Sequence, residues 1–369
     1  MTVAKIDRLQ YFFMIPCILF GKAIGVTAGI MVRRLGSDTW FSMTIGFVIG
    51  TLVMLLTVYL CGKFPEKTVI EFSGDLLGKW TGKLVGAVLA VYFAVAYAAS
   101  AGVMLVHLNE YFLPNTPLIL ITVLYTLLCL VGVLYGVEVI IRFSLVGFVM
   151  CLLLNLTMVA GTVKDIKLIN LFPLMDKGLM ANLSGTAYIF GDIAMAVLSV
   201  CFLYPMLNQK KKVMRITFWA MVVGAVQVIL WPLFEIMIMG PDLMKQYVLV
   251  CMQQIRCAQL TQAIPRYELL MMIFFTFTMF VQSGILFWCS EYCIKQITGL
   301  KKDWVILAPL TAVLIYITNL MCSDHNDYIN FLAYPYSQVS MALSLGLPVL
   351  LFFVALFRGK LKKKNAKLS

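Results

Sequence analysis

Of the 369 residues, 62% are hydrophobic and only 12% charged. Apolar runs of about 20 residues recur from end to end. That is more apolar surface than one water-soluble core of this length can bury, which excludes a soluble enzyme, a nucleic-acid-binding domain and a secreted disulfide scaffold. The 12 Pro and 25 Gly are too few for collagen or low-complexity disorder. The net charge of +12 lies in the loops and reads as membrane topology rather than as a surface for nucleic acid.

The hydrophobic pattern predicts an all-α polytopic membrane protein with ten transmembrane helices, at 11–32, 40–61, 84–106, 117–135, 139–161, 183–207, 216–236, 269–289, 304–322 and 338–357. The whole chain, 1–369, reads as a single transmembrane domain. The first span follows Lys5 and Arg8 and contains Val26-Thr27-Ala28, the small-x-small form of a signal cleavage site. Its 22 apolar-rich residues ending at Arg33-Arg34 nevertheless read as a retained helix. With the N-terminus inside, Lys and Arg number 19 on that side and 8 on the other, while Lys22 and Arg142 fall within spans. That bias, with an even number of spans, puts both termini in the cytoplasm. Residues 63–83 mix apolar and charged side chains and read as an interfacial helix with Trp80 at headgroup level. The segment 358–369 reads as a basic cytoplasmic tail on the membrane surface.

Motif chemistry is sparse. The ten Cys contain no CxxC pair and sit mostly inside spans, as small apolar packing residues; Cys251 and Cys257 share one outside loop, close enough in sequence to pair. Neither His107 nor His325 has partners at metal-ligand spacing, so no metal or cofactor is expected. The loop from Ser323 to Asp327 reads as a solvated turn. No phosphate-binding loop, GxSxG or HExxH is present, which excludes ATP-driven pumping by this chain and leaves no cluster of catalytic side chains. The expectation is therefore a protein that is not an enzyme.

The informative residues are those that a bilayer should reject. Lys22 lies about halfway along span 1, and Asp192 about nine residues into span 6, roughly 14 Å deep. Ionisable groups at such depth face a cavity, a partner or a ligand. Span 1 also carries Pro16, Gly21, Gly25 and Gly29, and span 6 carries Gly185, Gly191 and Pro205. These spans open two five-helix halves, repeat 1 over 11–161 and repeat 2 over 183–357. Five is odd, so the halves insert with opposite orientation. Breaker-rich helices at matching positions of inverted halves predict interrupted helices 1 and 6 around a midplane site. Freed amides there attract a carboxylate and freed carbonyls an ammonium, which suits a zwitterionic amino acid. Candidate ligand-binding residues are Gly21, Lys22, Gly25, Tyr97, Gly191, Asp192, Ser283, Gly284 and Trp288. Glu138 and Arg142 are spaced to pair. Glu235, Glu268 and Glu291 lie at span ends, where solvent suffices. Asn155, Gln227 and Gln282 are candidates for hydrogen bonds between helices.

The chain also resembles the spore germination permease family, the B subunits of nutrient germinant receptors. The matching residues are Gln10, Gly21, Asp38-Thr39-Trp40, the run from Phe64 to Thr68, Ile70-Glu71, Gly78-Lys79, Gly82-Lys83, Leu113-Pro114, Thr116-Pro117, Gly136 to Glu138, Arg142, Pro173-Leu174, Gly191-Asp192 and Pro205. That family is similar to the amino acid–polyamine–organocation transporters, which implies a five-plus-five inverted-repeat, leucine-transporter-like fold. The resemblance implies a receptor subunit that senses a small nutrient, often an amino acid, in the spore inner membrane. It also implies an A subunit and a C-subunit lipoprotein as partners, with membrane lipids around and no nucleic acid. Span 1 departs from the family: Lys22 replaces a small hydroxyl residue, Ala23 a Gly and Ala28 a Pro, and Asp192 stands where Glu is common. We expect Lys22 and Asp192 to face one cavity and to form a charge pair or divide between ligand groups, with Lys22 meeting a ligand carboxylate or taking the place of a coupling cation. The competing reading is a proton-coupled amino acid transporter with Asp192 as proton carrier.

Overall fold

The computed structural model describes residues 5–257 and 267–360. Among them the chain is helical, with a single isolated bridge of Ile6 against Leu207 that ties the N-terminal segment to the end of span 6. Eight stretches are long and apolar enough to cross a membrane. The first, Arg8–Lys63, holds two spans joined by a tight turn, and the shorter Leu118–Leu134 completes ten. Span 1 runs over 8–35, span 2 over Thr39–Lys63, span 3 over Lys79–Tyr111, span 4 over Leu118–Leu134 and span 5 over Val137–Thr162. Span 6 is Gly178–Leu203, span 7 Val213–Met239, span 8 Tyr267–Thr298, span 9 Asp303–Met321 and span 10 His325–Phe357.

The burial gradient follows from side-chain size. Spans 3 and 6 are the most enclosed and spans 9 and 10 the least. The run from Ala96 to Gly102 supplies the small residues that let span 3 sit at the centre, because helices in lipid associate by close packing rather than by hydrophobic drive. The turn between spans 1 and 2 depends on Gly36, whose φ of 57° is a left-handed conformation that glycine adopts at no cost. Buried Asp38 then accepts hydrogen bonds from the Lys177 amide and the Asn182 side chain, both at 3.0 Å, and clamps the start of span 6 to this turn.

The polar stretch after span 2 forms a helix over Val69–Leu77, started by a capping box of Thr68 and Glu71. Phe64 stacks on Phe72 at 5.2 Å. Glu66 pairs with Lys210 at 2.5 Å, so the loop after span 2 grips the loop after span 6. Trp80 is exposed at the start of span 3. Three expectations are revised. Span 10 begins at His325 rather than 338, because Asp324 caps a helix through the amides of Asn326 and Asp327 and the apolar run simply continues. Glu235 and Glu291, expected in solvent, are buried, because their helices continue past them to Met239 and Thr298 and keep them within the packed bundle. Glu138 and Arg142 do pair, at 2.5 Å. The tail from residue 361 onward and the Cys257 side chain lie outside the described residues.

The helix Val69–Leu77 meets span 3 where Gly82 lies against Gly74. A Cβ on Gly82 would stand 2.8 Å from the Gly74 Cα and from the Ile70 carbonyl, both backbone atoms that cannot rotate away. Gly82→Ala should therefore cost about 1–3 kcal/mol through overpacking, read as a lowered midpoint of unfolding in detergent.

Candidate functional site

Span 1 departs from α geometry where the sequence predicts, but not by unwinding. In an unbroken helix the Lys22 amide would bond the Ile18 carbonyl. Here the Gln282 side chain of span 8 spans that rung: its Nε2 donates to Ile18 O at 2.6 Å and its Oε1 accepts from Lys22 N at 3.1 Å. An inserted side chain is a recognised cause of helix distortion. Gly21 makes room for it, since a Cβ there would lie 2.4 Å from Gln282 Oε1. A π-helical turn follows over Ala23–Thr27. Side chains five apart on an α-helix point about 140° away from each other. The π-turn closes i on i+5 and brings Lys22 and Thr27 to one face.

That turn builds the centre of the site. Lys22 Nζ donates to Thr27 Oγ1 at 3.0 Å and lies 3.1 Å from Asp192 Oδ1 on span 6. Thr27 in turn donates to Asp192 Oδ2 at 2.8 Å. All three side chains are buried. Asp192 Oδ1 gains the ion pair but no well-aligned hydrogen bond, so it keeps acceptor capacity. A second π-turn, Leu332–Tyr336 in span 10, places the Tyr336 ring 5.6 Å from Lys22 Nζ, a cation–π contact. The Tyr336 hydroxyl donates to the Gly191 carbonyl at 3.0 Å. Tyr92 stacks on Tyr336, and the neighbouring hydroxyls of Tyr92 and Ser340 are buried without a well-formed hydrogen bond.

Span 6 is a correction. It was expected to break near Gly191, yet it is a continuous α-helix from Gly178 to Leu203 and changes only at the 3-10 turn Tyr204–Met206. One interior glycine costs only about 1 kcal/mol, which packing on both sides outweighs, and Pro205 comes too late to interrupt the span. Freed amides on span 6 are therefore absent from the site among the described residues; its charge comes from side chains.

The other candidates divide. Gly25 admits Val103, whose methyl would be 2.4 Å from an added Cβ, and its carbonyl faces the Cys251 thiol at 3.8 Å. Ser283 joins the Gln282 network through Ser100 at 3.1 Å and receives the Tyr125 hydroxyl at 3.1 Å; Ser100 also donates to Gln282 at 2.8 Å. Tyr97 is bonded separately, to Thr126 at 3.1 Å. Gly284 packs on Ile140 and Trp288 stacks on Tyr292, with no contact to the Lys22–Asp192 pair. Thr27, Tyr336, Tyr92 and Ser340 were missed. Thr27 stands at an interval that no α-helical pattern selects, and Tyr336 lies in a stretch read as loop.

The fold and the site can now be set against known proteins. Residues 5–327 match the family described as spore germination protein. The chain belongs to this family. It is 23% identical over 381 residues to spore germination protein KB of Bacillus subtilis (strain 168), with 99% of this chain and 98% of that protein covered. It is 25% identical over 345 residues to spore germination protein YndE of the same strain, covering 88% and 89%. Among solved structures it is similar to MhsT in complex with L-phenylalanine, with a TM-score of 0.64 and 13% identity over 96% of this chain and 90% of that one. That likeness establishes the fold: ten spans in a leucine-transporter-like, five-plus-five inverted repeat. The protein is thus an integral membrane, permease-type member of the germination family.

Two outcomes follow for the site. Lys22→Met or Asp192→Asn alone should each cost roughly 3–5 kcal/mol, because one charge is left buried without its partner, whereas the double variant should recover most of that loss. Additive losses in a thermal-unfolding cycle would show that the two charges do not depend on each other. Gly21→Ala should displace Gln282 and cost about 1–3 kcal/mol, and Gln282→Ala in the same background should add little further loss.

Proposed function

We propose that the protein is the membrane subunit of a spore germinant receptor, and that a small amino acid binds by exchanging into the Lys22–Asp192 pair. The observation that carries this reading is the pair itself: two opposite charges, 3.1 Å apart and fully enclosed, on the two helices that open the inverted halves. Separating such a pair without replacement leaves two buried charges uncompensated. A zwitterion replaces both partners at once, its carboxylate on Lys22 and its ammonium on Asp192 Oδ1. The Thr27, Tyr92 and Ser340 hydroxyls supply further hydrogen bonds. The π-turns in spans 1 and 10 are the segments that re-form as the ligand enters, since such turns commonly mark functional sites. A ligand that fits the separated arrangement better than the paired one shifts the population toward it.

The fold supports a ligand of this kind, since the structurally similar MhsT was solved with L-phenylalanine bound. The signal would pass to an A subunit and a C-subunit lipoprotein, with this chain in the spore inner membrane and both termini in the cytoplasm. The excess of Lys and Arg on the N-terminal side supports that orientation. Transport by the same site is the competing outcome. Because Lys22 already holds Asp192, that carboxylate is a poorer proton carrier than its depth alone suggested.

The twenty amino acids should be screened by thermal shift on the purified chain. At a hundredfold excess over Kd, a ligand selective for the folded state adds about 2.7 kcal/mol. Lys22→Met should abolish the shift; a normal dose–response in that variant overturns the proposed site. Binding without flux into liposomes supports the receptor, and flux supports the transporter.

A further inference from the structure

Glu235 is the charge-bearing group that the Lys22–Asp192 site leaves unexplained. It lies near the end of span 7 and is fully buried, and among the described residues neither carboxylate oxygen has a hydrogen-bond partner. Its surroundings can be traced outward from span 1. One turn earlier, Trp231 packs edge-on against Phe20 at 6.4 Å and donates to Asn155 at 3.1 Å. Spans 1 and 7 ascend together, so Glu235 stands at the level of the π-turn Ala23–Thr27, which span 7 contacts. The short helix Val250–Cys257 closes the space above, packed on both span 7 and the π-turn. From it the Cys251 thiol reaches the Gly25 carbonyl at 3.8 Å and His107 Nε2 at 3.4 Å, within electrostatic reach of Glu235. One turn further along, Gln254 is also fully buried, with neither amide atom partnered among the described residues.

The charges on the elements packed against span 7 are committed elsewhere. Lys22 is held by Asp192, and Arg8 donates to the Gln209 carbonyl. Tyr11 bonds Thr217 and Cys17 faces the Ser144 carbonyl, both toward the N-terminal end of span 1. Tyr59, Cys61 and Lys63 of span 2 belong to the end beside Val213, opposite Glu235. On span 5, Glu138 pairs with Arg142, and Cys151 lies against Asn155. Asp242 pairs with Lys245, Arg33 donates to the Tyr247 carbonyl, and Arg256 lies over the Tyr111 ring. Lys167, beside the Met237 carbonyl, has an exposed side chain, and the buried donors Gln254 Nε2 and Trp40 Nε1 are unpartnered; none of the described residues pairs with Glu235.

A carboxylate enclosed without cation or donor costs several kcal/mol, and binding a proton removes that cost. We propose that Glu235 is a proton-binding site, occupied while the helix Val250–Cys257 covers the π-turn of span 1. The proton comes from bulk water and forms one O–H bond on the carboxylate; it returns to water when that helix lifts and solvent reaches Glu235. The site is independent of the Lys22–Asp192 reading, and it differs from Asp192 in having no counter-charge among the described residues.

The test uses the purified full chain in detergent, with no amino acid present, so it does not depend on the proposed ligand. When the folded state holds a proton that the unfolded chain releases at neutral pH, stability falls as pH rises. The melting temperature of the wild type should fall by roughly 3 °C or more between pH 6 and pH 8.5. Glu235→Gln, which imitates the protonated group, should lack that fall and should melt above the wild type at the higher pH. Glu235→Leu, of similar volume, carries the same expectation where the amide variant does not purify. An infrared carboxylic-acid C=O band present in the wild type at pH 7 and lost in the variant is the second expected result. An unchanged pH slope in both variants, or the absence of that band, overturns the proposal. So does stabilisation of the wild type alone by sodium chloride over choline chloride at high pH, which would make the guest an alkali cation.

Discussion

The buried pairing of Lys22 with Asp192 organises the centre of this protein. A lysine halfway through a membrane span cannot stay charged on hydration alone, and an aspartate at similar depth has the same difficulty. Their proximity resolves both, and the Thr27 hydroxyl and the Tyr336 ring complete the enclosure. The arrangement ties the leading helix of one half to the leading helix of the other. A buried pair contributes little net stability over an apolar substitute but makes the loss of either member severe. On the proposed reading it acts less as a fastening than as a lock that admits only a guest able to satisfy both charges.

The distortion of span 1 shows how a membrane helix can be opened without exposing its backbone. Unpaired peptide groups in hydrocarbon are costly, so the chain does not simply unwind. Gln282 bridges the Ile18–Lys22 rung with one donor and one acceptor; its Nε2 also donates to Met195 Sδ, and its Oε1 accepts from Ser100, which leads on to Ser283 and Tyr125. The helix thus borrows side-chain amide groups from span 8 for part of its hydrogen bonding. Movement of span 8 would reach the Lys22 backbone directly, which gives the site a mechanical connection beyond spans 1 and 6.

The small residues have different roles from those that a simple account of helix breakers assigns. Gly21 is a docking notch for Gln282, and Gly25 admits Val103. Gly191 leaves span 6 helical, with its carbonyl taken by Tyr336. The paired glycines match in position but not in local geometry, because only span 1 has a rung of its backbone ladder bridged by a neighbouring side chain.

The sequence alone determined that this is a ten-span membrane protein, since hydrophobic runs and loop charges report directly on what the bilayer accepts and rejects. It also singled out Lys22 and Asp192, because a charge at membrane depth is costly wherever the chain folds. Only the tertiary structure decided what surrounds them. Thr27 meets Lys22 through a π-turn that α-helical periodicity cannot express, and Tyr336 enters from a stretch whose polar start hid the beginning of span 10. Glu235 reads in the sequence as a solvated span end, and only packing, with the helix Val250–Cys257 against span 7, encloses it. Depth along a helix is written in one dimension; enclosure by elements distant in sequence depends on packing in three.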